Sequence, residues 1–113
     1  MPRQARLDIP GALHHIMVRG IEKGVVFRSD TDTDHFLERL GEILQETKTL
    51  CYAWALIPNH FHLLLRSGSI QISTVMRRLL TGYALWYNRT HRRHGHLFQN
   101  QFFGFAVGRS QTS

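Results

Sequence analysis

A single cysteine, Cys51, among 113 residues leaves no partner for an internal disulfide and fits a reducing compartment. No apolar run approaches the roughly 20 residues that a membrane-spanning helix needs. The opening stretch MPRQARLDIPGA also lacks the apolar middle of a secretory signal. These absences predict a cytoplasmic protein with no membrane partner. Acids are scarce as well, and unevenly so. Six of the eight (Asp30, Asp32, Asp34, Glu38, Glu42 and Glu46) fall in one segment, whereas from Arg66 onward there are seven arginines and no acid. A one-signed half repels itself unless a polyanion neutralises it, which makes nucleic acid the leading partner. A merely solubilising basic surface is the plainer alternative. There are no repeats and no low-complexity tract, and 42% hydrophobic content suits one domain over residues 1–113 with a modest core.

The pattern of apolar residues supplies the elements. Residues 1–11 read as an irregular arm. Leu13 to Arg19 alternates as a strand, and Gly20 and Gly24 bracket a turn, after which Val25-Val26-Phe27 can pin the loop to the core. Ser29 to Asp34 is rich in helix-capping residues and acids suited to a helix N-terminus. Phe36, Leu37, Leu40, Ile43 and Leu44 then follow at helical spacing to about Thr47, with Glu38, Glu42 and Glu46 on the solvated side. Tyr52 to Arg66, YAWALIPNHFHLLLR, reads as two strands about Pro58-Asn59. Pairing Ile57 with His60 puts Tyr52, Trp54, Leu56, Phe61, Leu63 and Leu65 on a core face. Ala53, Ala55, Ile57, His60, His62, Leu64 and Arg66 then take the other. Ser67-Gly68-Ser69 breaks the chain before a second helix through Ile72, Val75, Met76, Leu79, Leu80, Tyr83 and Trp86-Tyr87. Asn88 to His96 is a basic loop, and Leu97 to Phe105 a last edge strand. The β-α-β-β-α-β order predicts an α+β, ferredoxin-like βαββαβ sandwich: a four-stranded antiparallel sheet with two helices on one face. The first and third strands would then lie together, bringing His15 and Arg19 beside His60 and His62 on the open side.

Two imidazoles two residues apart on a strand point the same way, and small alanines beside them leave room for a ligand. A divalent metal held by His60 and His62 is the functional reading; two partly exposed strand histidines are the dull one. Tyr83, Trp86 and Tyr87 could stack on bases next to Arg89, Arg92 and Arg93, but their spacing matches the core stripe of the helix. His91, His94 and His96 read as part of a basic loop facing phosphate, and Cys51 as core.

The segments HHIMVRG, FRSDTDTDHFLERL, YAWALIPNHFHLLLR and STVMRRLLTGYALWYNRTHRRHGHLFQNQF, in that order, closely resemble the REP-associated tyrosine transposases over about residues 5–102. These belong to the single-tyrosine insertion-sequence group, whose HUH motif of two histidines about a bulky apolar residue matches His60-Phe61-His62. The resemblance implies a nuclease domain acting on single-stranded or hairpin DNA. In it the histidine pair would hold Mg²⁺ or Mn²⁺ and a tyrosine would attack the scissile phosphate. The resemblance allows a monomer or a homodimer, while the basic charge and the expected strand order make His15, Arg19, Arg66, Arg77, Arg78, Arg89, Arg92 and Arg93 the candidate DNA contacts. The family's nucleophilic tyrosine lies downstream of the GHLFQ segment. Here FGFAVGRSQTS follows Phe102 without a tyrosine, so the expectation is a transposase core truncated before its nucleophile, with no catalytic residue assigned. The competing expectation is a non-catalytic hairpin or single-stranded DNA-binding protein. An RNA-binding module of this layout would want exposed aromatics on the central strands, where His15, Met17, His60 and His62 stand instead.

Overall fold

The computed structural model describes residues 11–99 and, as backbone only, residues 103–107. Strand β1 is Leu13–Arg19, helix α1 Asp30–Thr47, β2 Leu50–Ile57, β3 His60–Arg66, helix α2 Ile72–Thr90 and β4 Phe103–Val107, with a 3₁₀ turn at Ile21–Lys23. The chain is α+β, with β3 antiparallel between β2 and β1. The backbone of β4 runs antiparallel along the other side of β1, giving the order β2-β3-β1-β4.

Period-2 alternation assigns each residue of the central strands to a face. On β1 His14, Ile16 and Val18 are buried, and on β3 Phe61, Leu63 and Leu65. The register pairs them as His14 with Leu65, Ile16 with Leu63 and Val18 with Phe61, so all six share one face. Both helices pack there: α1 through Phe36, Leu40 and Ile43, α2 through Ile72, Val75, Met76, Leu79, Tyr83 and Tyr87. Phe61 sits at the centre, its ring 4.8 Å from that of Phe36 and 5.9 Å from that of Phe98. Burial of such a side chain is worth on the order of 2–3 kcal/mol. At Gly82, the weak point of the helical pattern, the Arg39 side chain of α1 occupies the space where a Cβ would stand.

The two-residue turn Pro58-Asn59 is not held by its own chemistry. The Pro58 carbonyl accepts the N–H groups of Val26 at 2.7 Å and Phe27 at 3.2 Å, and the Asn59 carbonyl accepts that of Gly20 at 2.9 Å. Val26 and Phe27 are buried, as their apolar character predicts, while Val25 is exposed. Gly20 is required in this arrangement, since a Cβ there would collide with the Gly24 carbonyl.

Three expectations change. A bulge between Cys51 and Ala53 leaves Tyr52 without a partner on β3, so Tyr52 leaves the core face, stands 53% exposed, and accepts a hydrogen bond from Arg66 Nε at 3.1 Å. The extra residue breaks the two-residue period on which the sequence reading relied. Trp54 pairs with Leu63 yet is also exposed, because β2 is an edge strand and the helices do not reach over it. Leu97 and Phe98 do not begin the last strand. They plug the core at 4% and 7% exposure, with a single bridge from Phe98 to Gly20, and β4 starts at Phe103.

Candidate functional site

His60 and His62 lie side by side on the face of β3 away from the helices, their rings 5.1 Å apart between centroids. Strand period alone orients them. Register then adds their neighbours: Arg19 pairs with His60, Met17 with His62, and His15 lies diagonally beside it. His15 Nε2 and His62 Nδ1 are 3.2 Å apart, with the two rings parallel to within 2°. His60 Nδ1 lies 2.9 Å from Asn59 Oδ1. Beside the pair, His15, His62, Ala53, Ala55 and Leu64 line a shallow hollow of about 220 Å³.

Burial, reinforced by the neighbouring His60 and His15, holds the His62 pKa below that of an ordinary imidazole. A neutral ring keeps a lone pair for a metal, so the two imidazoles suit a divalent ion as donors. They are only two: among the described residues no group of three or more His, Cys, Asp and Glu converges. Any ion would complete its shell with oxygens from water or a bound phosphate.

The arginines divide into two sets. Arg19 and Arg66 belong to the histidine side, Arg66 donating through Nη1 to the Gly11 carbonyl at 2.9 Å as well as to Tyr52. Arg77 and Arg78 are exposed on α2, across the sheet from the histidines, and Arg78 is ion-paired with Glu46. Arg89 lies in the last turn of α2, and Arg92 and Arg93 follow the helix. Arg93 bonds Asn88 Oδ1 at 2.7 Å and the His96 carbonyl at 3.1 Å. The Ile21 N–H donates to the Leu97 carbonyl and the Gln99 N–H to the Arg19 carbonyl, which brings this basic loop back toward the Arg19 end of β1.

The helix aromatics are structural. Tyr83 and Tyr87 are fully buried, their hydroxyls donating to the carbonyls of Val26 at 2.6 Å and Val25 at 3.0 Å, and burial pushes the Tyr83 pKa far up. Trp86 stacks on His35 at 3.9 Å. His91, read from sequence as facing phosphate, instead lies 3.0 Å from both carboxylate oxygens of buried Asp32, which also accepts the Arg28 N–H at 2.8 Å. Cys51 packs against the core, and burial raises its thiol pKa, so it is no ready nucleophile. Sequence reasoning missed Asn59 as a neighbour of the pair, although it directly precedes His60. Nothing in the sequence signalled Asp32 with His91.

No curated protein matches this sequence. Among the solved structures that share the fold, two are transposases. One is a REP-associated tyrosine transposase bound to a REP hairpin, at 14% identity and a TM-score of 0.72; the alignment covers 95% of this chain and 62% of that one. This chain therefore spans less than two thirds of that protein's length. The other is a candidate transposase from Deinococcus radiodurans R1, at 15% identity and a TM-score of 0.69, covering 92% of this chain and 85% of that one. The family model described as IS200-like transposase matches residues 10–113, a span that includes the segment beyond Phe102. With nearly the whole sequence matched and the same fold in two transposase structures, this chain belongs to the IS200-like transposases.

Proposed function

We propose that the chain is a DNA-binding domain of the single-tyrosine HUH type, which takes hairpin-bearing single-stranded DNA on the face that carries His60 and His62. The observation that carries this reading is the imidazole pair itself: side by side, on the sheet face that the helices leave open, with a basic residue of β1 paired opposite His60. The order β2-β3-β1-β4 with both helices on one face supports a ferredoxin-like layout. The hairpin held by the structurally similar transposase supports a hairpin ligand here. His60 and His62 would hold Mg²⁺ or Mn²⁺, which when bound supplies charge neutralisation at a phosphate oxygen. Arg19 and Arg66 hold the strand across the same face. His15, Arg89, Arg92 and Arg93 border that path, and Arg77 and Arg78 stand off it on the helix side, Arg78 paired with Glu46.

A second reading, DNA binding without cleavage by this domain alone, is favoured by the placement of the tyrosines. All three in the sequence are described, and two are buried on the helix side. The third, Tyr52, lies three residues along β2 from the partner of His62, about 10 Å away at strand rise, and is bonded to Arg66. The domain is therefore expected to bind but not to form a DNA–tyrosine link unaided. Incubation of the full chain with 3′-labelled hairpin single strands and Mn²⁺, resolved on native gels for binding and on denaturing gels for cleavage and adducts, tests this. Retarded but uncut DNA is the expected result. A covalent adduct that disappears in Tyr52→Phe or Tyr87→Phe would overturn the account of the nucleophile, and cleavage abolished by His60→Ala would overturn the binding-only reading.

A further inference from the structure

The ring nitrogens of the histidine pair are not equivalent. In each ring Nδ1 already has a neighbour: Asn59 Oδ1 at 2.9 Å from His60, and His15 Nε2 at 3.2 Å from His62. An amide oxygen can only accept, so His60 must carry its proton on Nδ1, which leaves Nε2 with its lone pair. The contact between His15 and His62 admits two assignments. If His15 donates, a neutral His62 carries its proton on Nε2 and has no lone pair to offer. If His62 donates, its Nε2 is open as a ligand and the proton of His15 sits on Nδ1. Only the second assignment gives two like ligands, and the 3.2 Å separation of the two nitrogens is hydrogen-bond distance.

We propose that Asn59 and His15 are positioning residues that fix His60 and His62 as Nδ1–H tautomers, so that both Nε2 atoms face a divalent ion. This rests on the proposed use of the pair as metal ligands, and it assigns His15 to orienting a ligand, where the sequence reading gave it to DNA. Metal-bound histidines generally donate their other ring N–H to an oriented acceptor, and loss of that acceptor weakens metal binding by 10- to 100-fold. Both acceptors are set by the fold: Asn59 by the Gly20 N–H on its carbonyl, His15 by the pairing of β1 with β3.

The test has two readouts on the full chain. Long-range ¹H–¹⁵N correlation spectra of ¹⁵N-histidine protein without metal report the tautomers directly. The proposal expects Nδ1–H at His60 and His62, and Nε2–H at His62 would overturn it. Mn²⁺ titration followed by electron paramagnetic resonance then compares variants. His15→Phe and Asn59→Ala should weaken Mn²⁺ by 10- to 100-fold, while His15→Gln and Asn59→Asp, which keep an acceptor oxygen, should stay within a few-fold of wild type or bind more tightly. Unchanged affinity in His15→Phe would overturn the positioning role. Failure of wild type to bind Mn²⁺ would instead overturn the metal reading of the pair, and the tautomer spectra would still decide the hydrogen-bond assignment. Those spectra need no substitution, so a variant that fails to fold leaves the test intact.

Discussion

At the scale of single residues, a substantial penalty belongs to Asp32, a group that the apolar pattern does not mark. Asp32 is 1% exposed and satisfies both the Arg28 N–H and His91. Asp32→Ala would strand these partners and should cost about 3 kcal/mol, read as a lowered urea midpoint. Tyr87→Phe removes one hydroxyl that donates to Val25 and accepts from Arg28, a loss of about 1 kcal/mol with DNA binding unchanged in a mobility-shift assay. The histidines also set a pH dependence. Burial first, then Arg39, lowers the His35 pKa, and His62 is lowered by burial and its neighbouring histidines. For a histidine depressed in the folded state, the unfolded chain binds more protons just below pH 6.5, so stability falls as pH drops through that window. Denaturation midpoints between pH 7.5 and 5.5 should decline. His35→Phe, which keeps a ring against Trp86, should make the decline shallower; an unaltered slope would remove His35 from the account.

At the scale of elements, β3 and β2 behave differently although both are apolar. β3 is central and alternates cleanly between a buried and a partly open face, so the sequence pattern alone orients His60 and His62. Phe61 between them is the anchor, and Phe61→Ala should cost about 4 kcal/mol in chemical denaturation. β2 lies at the edge, exposes Leu50, Tyr52, Trp54 and Ile57, and carries the bulge. Trp54→Lys should therefore change stability by less than about 0.5 kcal/mol, and a loss comparable to that at Phe61 would show that the edge is covered. Trp54 reads as core because alternation reports which side a residue points to, not whether anything packs there.

At the scale of the molecule, charge is arranged about the sheet. Arg19 and Arg66 share the histidine side, while Arg77 and Arg78 lie exposed on α2, on the other side of the sheet. Affinity for hairpin-bearing single strands should fall steeply with salt. Arg19→Gln should reduce the slope of log K against log salt by about 0.7, the contribution of one single-strand phosphate contact. Arg78→Gln, at an arginine already paired with Glu46 of the neighbouring helix, should leave it unchanged. Fluorescence anisotropy at four salt concentrations decides this, and a flat response would remove the polyanion argument.

The amino-acid sequence by itself determined the two amphipathic helices, the alternating strands, the shared direction of His60 and His62 and the one-signed charge of the second half. Each of these is a local periodicity or a count, and needs no distant partner. Only the tertiary structure decided that Tyr52 turns out at a bulge, that Trp54 stays exposed, that His91 closes on Asp32, and that His15 meets His62 from 47 residues away. Those outcomes depend on which strands become neighbours and on where the helices stop covering the sheet. No periodicity within a single segment encodes either.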